Sequence, residues 1–364
     1  MGFLKNIFGN KKDEPIKSYS DFWAWFQENE KEFFAVVKNK KEIEKGFFNQ
    51  LSQKLNELKE GYFYLTGMFD DNTVELVLTA DGNTKNIVFV EELVNIAPQI
   101  NGWRFTALKY SSNIQDVNIN MDGYKFNSEN LSFYSNSFEE YPDEIDITIV
   151  YNNFIEENKE QIINGTSIFL ENFLGELDFV NNIDSLKVIG IKNAKKELIP
   201  IEKIKDFLTW RQKEFIEKYE GLHYDTENVT YSLLEAEFDS GDTLFAVINP
   251  DLLKWDCKAS HPWISVLTIK YGGENTNGMP SKKDFKLLDK IEDDLIQELK
   301  DIDGHLNIGR QTAKGEREIY FACKDFRKIS KVFFKAQQNY SQIYEIQYDI
   351  YKDKYWQSFE RFNH

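Results

Sequence analysis

The stretch GRQTAKGEREIYF, Gly309 to Phe321, holds two glycines, two arginines, a threonine and a lysine. It can be a phosphate-binding loop or a turn between two strands. A phosphate loop needs Gly, four residues, then Gly-Lys-Ser/Thr, so that backbone N–H groups and the lysine converge on one anion. Here Lys314 precedes Gly315, and Glu316 follows it. An acid would face the phosphate. The flanks alternate instead, with Leu306 and Ile308 before the turn and Ile319 and Phe321 after it. Gly315 suits the left-handed position of a short hairpin loop. The stretch therefore reads as a β-hairpin. Arg310 and Arg317 can stand across it from each other, where they repel unless acids or a ligand neutralise them. Glu316 and Glu318 are the neutralising acids nearest in sequence.

Working outward, WISVLTIKY (263–271) reads as a strand and Ser281 to Lys300 as a helix. Leu288, Ile291, Leu295 and Leu299 make the apolar face of that helix. Ser281 is its cap, and Asp284 three residues on is close to a capping box. GHLNIGR and REIYFAC flank the turn. A helix from about Asp325 to Asn339 and the strand YEIQYDIYK follow. The order strand, helix, strand, strand, helix, strand is the ferredoxin-like one. VTYSLLEAEF and DTLFAVIN add a hairpin ahead of it, over the turn at Asp239 to Asp242.

Upstream, Ser20 is a cap for a helix through DFWAWFQENEKEFFAVVKN, and a second helix runs to Gly61. The period then changes to two in YFYLTGMF and VELVLTA. A helix stopped by Pro98, the strand GWRFTALKY, several short strands between Val117 and Tyr151, a helix closed near Gly175, and the strand DSLKVIGI follow. IEKIKDFLTWRQKEFIEKYEG is a helix at the junction of the halves. The expected fold is α+β: two domains of antiparallel sheet with helices mainly on one face, the C-terminal one ferredoxin-like with an extra hairpin. The expected division is a leader at 1–17, an acidic domain at 18–200 and the ferredoxin-like domain at 201–364.

The chain has 364 residues, 41% of them hydrophobic, enough for real cores. Two cysteines make no disulfide framework and no Cys-x-x-Cys pair, so a reducing cytoplasm is expected. There is no long uncharged apolar run, so no integral membrane segment is expected. The MGFLKNIFG leader lacks the length of a secretory signal, and Asn6 stands where the myristoylation pattern needs Ser or Thr. Its apolar residues leave open a contact with a membrane or a partner.

The net charge of −17 argues against binding phosphate backbones, so no nucleic-acid partner is expected. Ser111 to Leu186 carries about 15 acidic residues against Lys125 and Lys159. Solubility explains such a stretch, and so does recognition of a protein with a basic surface.

Four histidines (His223, His261, His305, His364) fall in no metal-binding spacing, so neither metal nor cofactor is expected. No Gly-x-Ser-x-Gly elbow is present. Glu292, Asp293 and Asp294 are neighbours on one helix and read as a solvated face. Asp81, at a strand end before Gly82, is a binding candidate or a turn residue. YGGENTNGMP (271–280) precedes a helix N-terminus but lacks Gly-x-Gly-x-x-Gly, and reads as a connector.

The residues NGMPSKKDFKLLDKIEDDL, GRQTAKGEREIYFACKD and YDIYKDKYWQSF resemble the bacterial domain of unknown function 695 family. Its pattern falls on Gly278 and Pro280; on Ile291, Glu292 and Asp293; on Gly309, Arg310, Thr312, Gly315 and Arg317; and on Asp353 or Asp349, Trp356 and Phe359. The resemblance covers roughly 229–362 and implies no reaction. ELVLTADGNTKNIVFVEELVNIAPQINGWRFTALK and FLENFLGELDFVNNIDSL resemble another uncharacterised bacterial group. No residue is assigned a catalytic role. Arg310, Thr312, Arg317, Asp81 and Trp356 are the binding candidates. The reading is a non-enzymatic protein-binding or regulatory module, of the toxin-immunity or nuclease-inhibitor kind. The alternative is an enzyme or small anionic-ligand binder, with its site between the domains or around Arg310 and Arg317.

Overall fold

The structure, a computed structural model, describes residues 15–224, 229–273 and 276–362. Residues 1–14 of the expected leader lie outside them. The chain divides into two units, one ending at Lys109 and one beginning at Tyr110.

In the first unit, α1 (Tyr19–Asn39) is capped by Ser18 rather than the expected Ser20, because Ser18 Oγ accepts from Asp21 N–H. A π-turn, Glu44–Phe48, leads into α2 (Asn49–Leu58). β1 (Phe63–Met68) pairs antiparallel with β2 (Val74–Thr79), and after α3 (Thr84–Asn95) the strand β3 (Trp103–Ala107) pairs parallel with β2. A helical crossover allows this parallel pairing. Every residue of β2 is buried. Trp23, Phe26 and Phe33 of α1 meet Phe47, Trp103 and Phe105 in an aromatic core, with the nearest rings edge-on or tilted at 4.5–5.6 Å.

The second unit begins with the small hairpin β4 (Ile119–Met121) and β5 (Tyr124–Phe126). β6 (Leu131–Asn136) and β7 (Asp146–Tyr151) pair antiparallel. After α4 (Lys159–Leu174) and α5 (Glu176–Asn182), β8 (Ser185–Gly190) returns parallel to β7, and the short β9 (Ile199–Pro200) joins β6. The sheet order is β8-β7-β6-β9. One face packs on α4 and on α6 (Ile204–Tyr219): Phe133, Ile147 and Ile149 share a core with Phe169, Leu170, Ile204 and Leu208.

β10 (Ser232–Glu237) and β11 (Thr243–Ile248) form the expected hairpin, followed by the single turn α7 (Pro250–Leu253). Then come β12 (Trp263–Lys270), α8 (Lys282–Glu298), β13 (His305–Ala313), β14 (Glu316–Cys323), α9 (Arg327–Tyr340) and β15 (Glu345–Lys352). The sheet order among the described residues is β10-β11-β13-β14-β12-β15, antiparallel throughout. Its last four strands are the ferredoxin-like arrangement, and β10–β11 extend the β13 edge. α8 and α9 cover one face. On the other, Trp356, Phe359 and Phe362 pack on Ile264, Tyr320 and Ala322. The fold is α+β, with two parallel pairs in the smaller sheets.

The two sheets of this unit are joined by charge. Asp184 sits between Lys352 Nζ (2.6 Å) and Lys354 Nζ (2.7 Å). Asp143 Oδ2 accepts from Tyr219 and Tyr355 hydroxyls at 2.6 and 2.8 Å and pairs with Lys218. Burial works to raise both carboxyl pKa values. The lysines, and for Asp143 the tyrosine hydroxyls, outweigh it and hold both below the usual aspartate value. Two acids of the 111–186 stretch thus find their cations inside the same unit.

Candidate functional site

The hairpin at Gly309–Phe321 turns at Lys314 and Gly315. Lys314 and Gly315 both have positive φ (49° and 80°), the two-residue turn whose twist matches that of the strands. The loop before α8 closes on this tip. Gly315 N–H donates to Gly278 O at 2.9 Å, and Tyr271 N–H to Gly315 O at 2.9 Å. A Cβ on Gly315 would lie 2.1 Å from Gly272 O. Gly315→Ala is expected to destabilise this unit by about 1–3 kcal/mol, since the loop must shift and the φ is unfavourable. Denaturant melts check this, and an unchanged midpoint would mean that the loop carries no stability. Gly309, at a bulge with φ 138°, lets β11 approach, for a Cβ there would meet Val247 O at 2.1 Å.

Pairing sets Thr312 opposite Arg317 and Arg310 opposite Ile319. Alternation puts all four on the face beneath α8. The two arginines are diagonal neighbours rather than directly opposed. Arg317 is buried, 1% exposed. Its Nε donates to Thr312 Oγ1 (3.2 Å), its Nη1 to Asp289 Oδ1 (2.8 Å), and Phe285 lies beneath the guanidinium at 5.4 Å. Arg310 Nη1 donates to Glu292 Oε2 at 2.8 Å, which is 3.9 Å from Arg317 Nη1.

The neutralising acids are therefore Asp289 and Glu292 of α8, not Glu316 and Glu318. Glu318 belongs to the other face, where its Oε2 accepts from Tyr320 and Gln311. Glu292 is buried, which corrects its reading as part of a solvated face; Asp293 beside it is exposed. Burial raises the Glu292 pKa, partly offset by Arg310 and Arg317. Asp289 and Glu292 stand three apart, one turn along the helix, and so face the sheet together.

The remaining candidates lie elsewhere. Trp356 is in the core of the opposite face, 2% exposed, with Nε1 donating to His261 O at 3.0 Å. Asp353 caps the turn that carries it, accepting from Gln357 and Ser358 N–H. Asp81 is in the first unit, at the end of β2, with φ 51° and a salt bridge to Lys109 at 2.6 Å. His261 is buried, with Nδ1 2.9 Å from Ser260 Oγ.

A family model described as "Family of unknown function (DUF695)" matches residues 244–362. The C-terminal part of the chain resembles that family. No curated protein and no solved structure gives a significant match. The matched segment contains the hairpin, α8 and the final turn, so the residues on which the resemblance rests acquire physical roles. Gly309 and Gly315 allow close backbone approach. Arg310, Arg317 and Glu292 fasten α8 to the sheet. Asp353 and Trp356 close the other face. Asp289, which completes the pairing, escaped the sequence reading. Its signal was the three-residue spacing from Glu292 on a helix that already had a defined buried face.

Among the described residues no group of three or more His, Cys, Asp or Glu side chains is placed to hold a metal ion, and no helix is long and apolar enough to cross a membrane.

Proposed function

We propose that the chain is a non-enzymatic protein-binding or regulatory module that presents an acidic surface to a basic protein, in the manner of a toxin-immunity protein or nuclease inhibitor. The observation that carries this is the division of labour among the acids of 111–186. Asp143 and Asp184 serve internal pairing, and Glu171 and Glu176 are buried. Asp116, Asp122, Glu129, Glu139, Glu140, Glu156, Glu157, Glu160 and Asp178 remain exposed. Within this stretch an open recess of about 490 Å³, lined by Tyr124, Lys125, Asn127, Glu129, Tyr151 and Ile155, adjoins Glu156 and Glu157 in sequence. Clustered like charge speeds encounter with an oppositely charged surface. The pairing of Arg310 and Arg317 with α8 further supports this reading over the anionic-ligand one. An anion there would have to displace Glu292 and Asp289.

The test compares affinity capture by the wild type and by a Glu139→Lys, Glu140→Lys, Glu156→Lys, Glu157→Lys variant. A basic protein should be held at low salt, weakened at moderate salt and lost by the variant. Recovery of the same proteins by both chains, or of none by the wild type, would sink the reading.

A further inference from the structure

We propose that the outer edge of β10 takes up an extended segment of a partner protein as a further strand, and that this segment sets basic side chains opposite Glu235 and Glu237. β10 is an end strand of the six-stranded sheet among the described residues. It pairs with β11 along its whole length, Ser232 to Glu237, without a bulge. A regular edge of this kind offers a row of N–H and C=O groups to another chain.

The turn between the two strands fixes which groups face outward. Phe238 N–H donates to Asp242 O at 2.9 Å, so Phe238 points its backbone groups at β11. In an antiparallel pair that direction alternates from residue to residue. Ala236, Leu234 and Ser232 therefore bond to β11, and Glu237, Glu235 and Leu233 turn their N–H and C=O groups away from it. Among the described residues none bonds to those three outward N–H groups.

The side chains of the same three residues share one face. Leu233 stands opposite Val247 and Glu235 opposite Phe245; Val247 and Phe245 in turn stand opposite Arg310 and Thr312, on the α8 side of the sheet. Leu233 is 66% exposed, and Glu235 and Glu237 are exposed with it. This face of the edge thus presents one apolar and two acidic side chains in succession. Opposite charges directly across a strand pair attract, so the matching strand presents an apolar and two basic ones. Lys314, at the neighbouring hairpin tip, is turned onto the Phe238 ring at 3.9 Å.

Charge also decides against a second copy of this chain. In an antiparallel pair, outward residues must meet outward residues. In the registers centred on Leu234, Glu235 or Ala236, each glutamate would meet another glutamate, Leu233 or Tyr231, and never a cation. β10 lies outside the 111–186 stretch, so this contact goes beyond the surface proposed above and does not rest on it.

Fluorescence anisotropy of the full chain with labelled peptides tests this. The probes are TKTKTVT, its acidic counterpart TETETVT, and a copy of the first methylated at its peptide nitrogens. TKTKTVT should bind, the acidic peptide should bind about tenfold more weakly or less, and the methylated copy should not bind. A Glu235→Lys, Glu237→Lys variant should reverse the order of the first two. Leu233→Pro removes one outward N–H at a place where an edge strand tolerates proline, and should weaken TKTKTVT by about tenfold with an unchanged denaturant midpoint. The charge reversal keeps the test open if the proline disturbs the fold. The proposal is overturned if TKTKTVT does not bind the wild type, if the acidic or the methylated peptide binds as tightly, or if a folded Leu233→Pro chain binds as well as the wild type. A dimer in sedimentation that Leu233→Pro makes monomeric would give the edge to a second copy and overturn it as well.

Discussion

Arg317→Ala is expected to destabilise the C-terminal sheet by about 3–5 kcal/mol, the usual cost of removing one member of a buried ion pair. The guanidinium is almost fully enclosed and meets Thr312, Asp289 and the Phe285 ring at once. Its loss leaves a cavity and withdraws one of the two cations that offset Glu292. Arg317→Lys should recover only part of this, since a point charge cannot serve Thr312 and Asp289 in one plane. Arg310→Ala should cost less, because Arg310 is 25% exposed. Hydrogen exchange at the β13 and β14 amides reads this sheet separately from the rest of the chain. A loss below about 1 kcal/mol on Arg317→Ala would show that the pair is no fastener, and would return the arginines to the anionic-ligand reading.

The second large effect is acid lability. Burial, with Lys324 nearby, pushes the His261 pKa down to about 3, and His305 stands at about 4, against 6.5 when unfolded. The folded values are depressed, so both contributions are fully present above pH 6.5 and are lost as pH falls through the folded values. Between those limits each histidine should remove ~1.4 kcal/mol of stability per pH unit. Asp143 and Asp184 add losses of the same sign below the ordinary aspartate value of 3.8. Glu292 acts oppositely: with its pKa raised, its term is present below 4.5 and lost as pH rises through the folded value. The expected result is a steep decline in denaturant midpoint from pH 6.5 to 4, reduced in His305→Gln. A flat profile over that range would contradict the burial of two neutral imidazoles.

Ser281 and Asp284 form the expected cap, with Asp284 N–H donating to Ser281 Oγ at 3.2 Å. Lys314 and Gly315 make the turn that the alternating flanks require. Leu288, Ile291 and Leu295 face the core, as their spacing demanded. Each of these is a local property, set within a few residues by backbone sterics or by helical and strand periods. The ferredoxin-like order followed from them, because few topologies join such elements without crossing connections.

The partners of the charged groups were not legible in this way. The sequence put Glu316 and Glu318 nearest the arginines, yet Glu318 faces away from them, and the acids that matter stand 18 and 28 residues earlier, on a helix. Nothing local joins Asp184 to Lys352 and Lys354. The parallel pairings of β2 with β3 and of β7 with β8 were equally hidden, since strand direction depends on where the intervening helix returns the chain. By itself the sequence determined the elements, their order and the hairpin at Gly309–Phe321. Only the tertiary structure decided which charges are consumed inside and which face solvent, because a side chain's counter-ion is set by packing between elements distant in sequence.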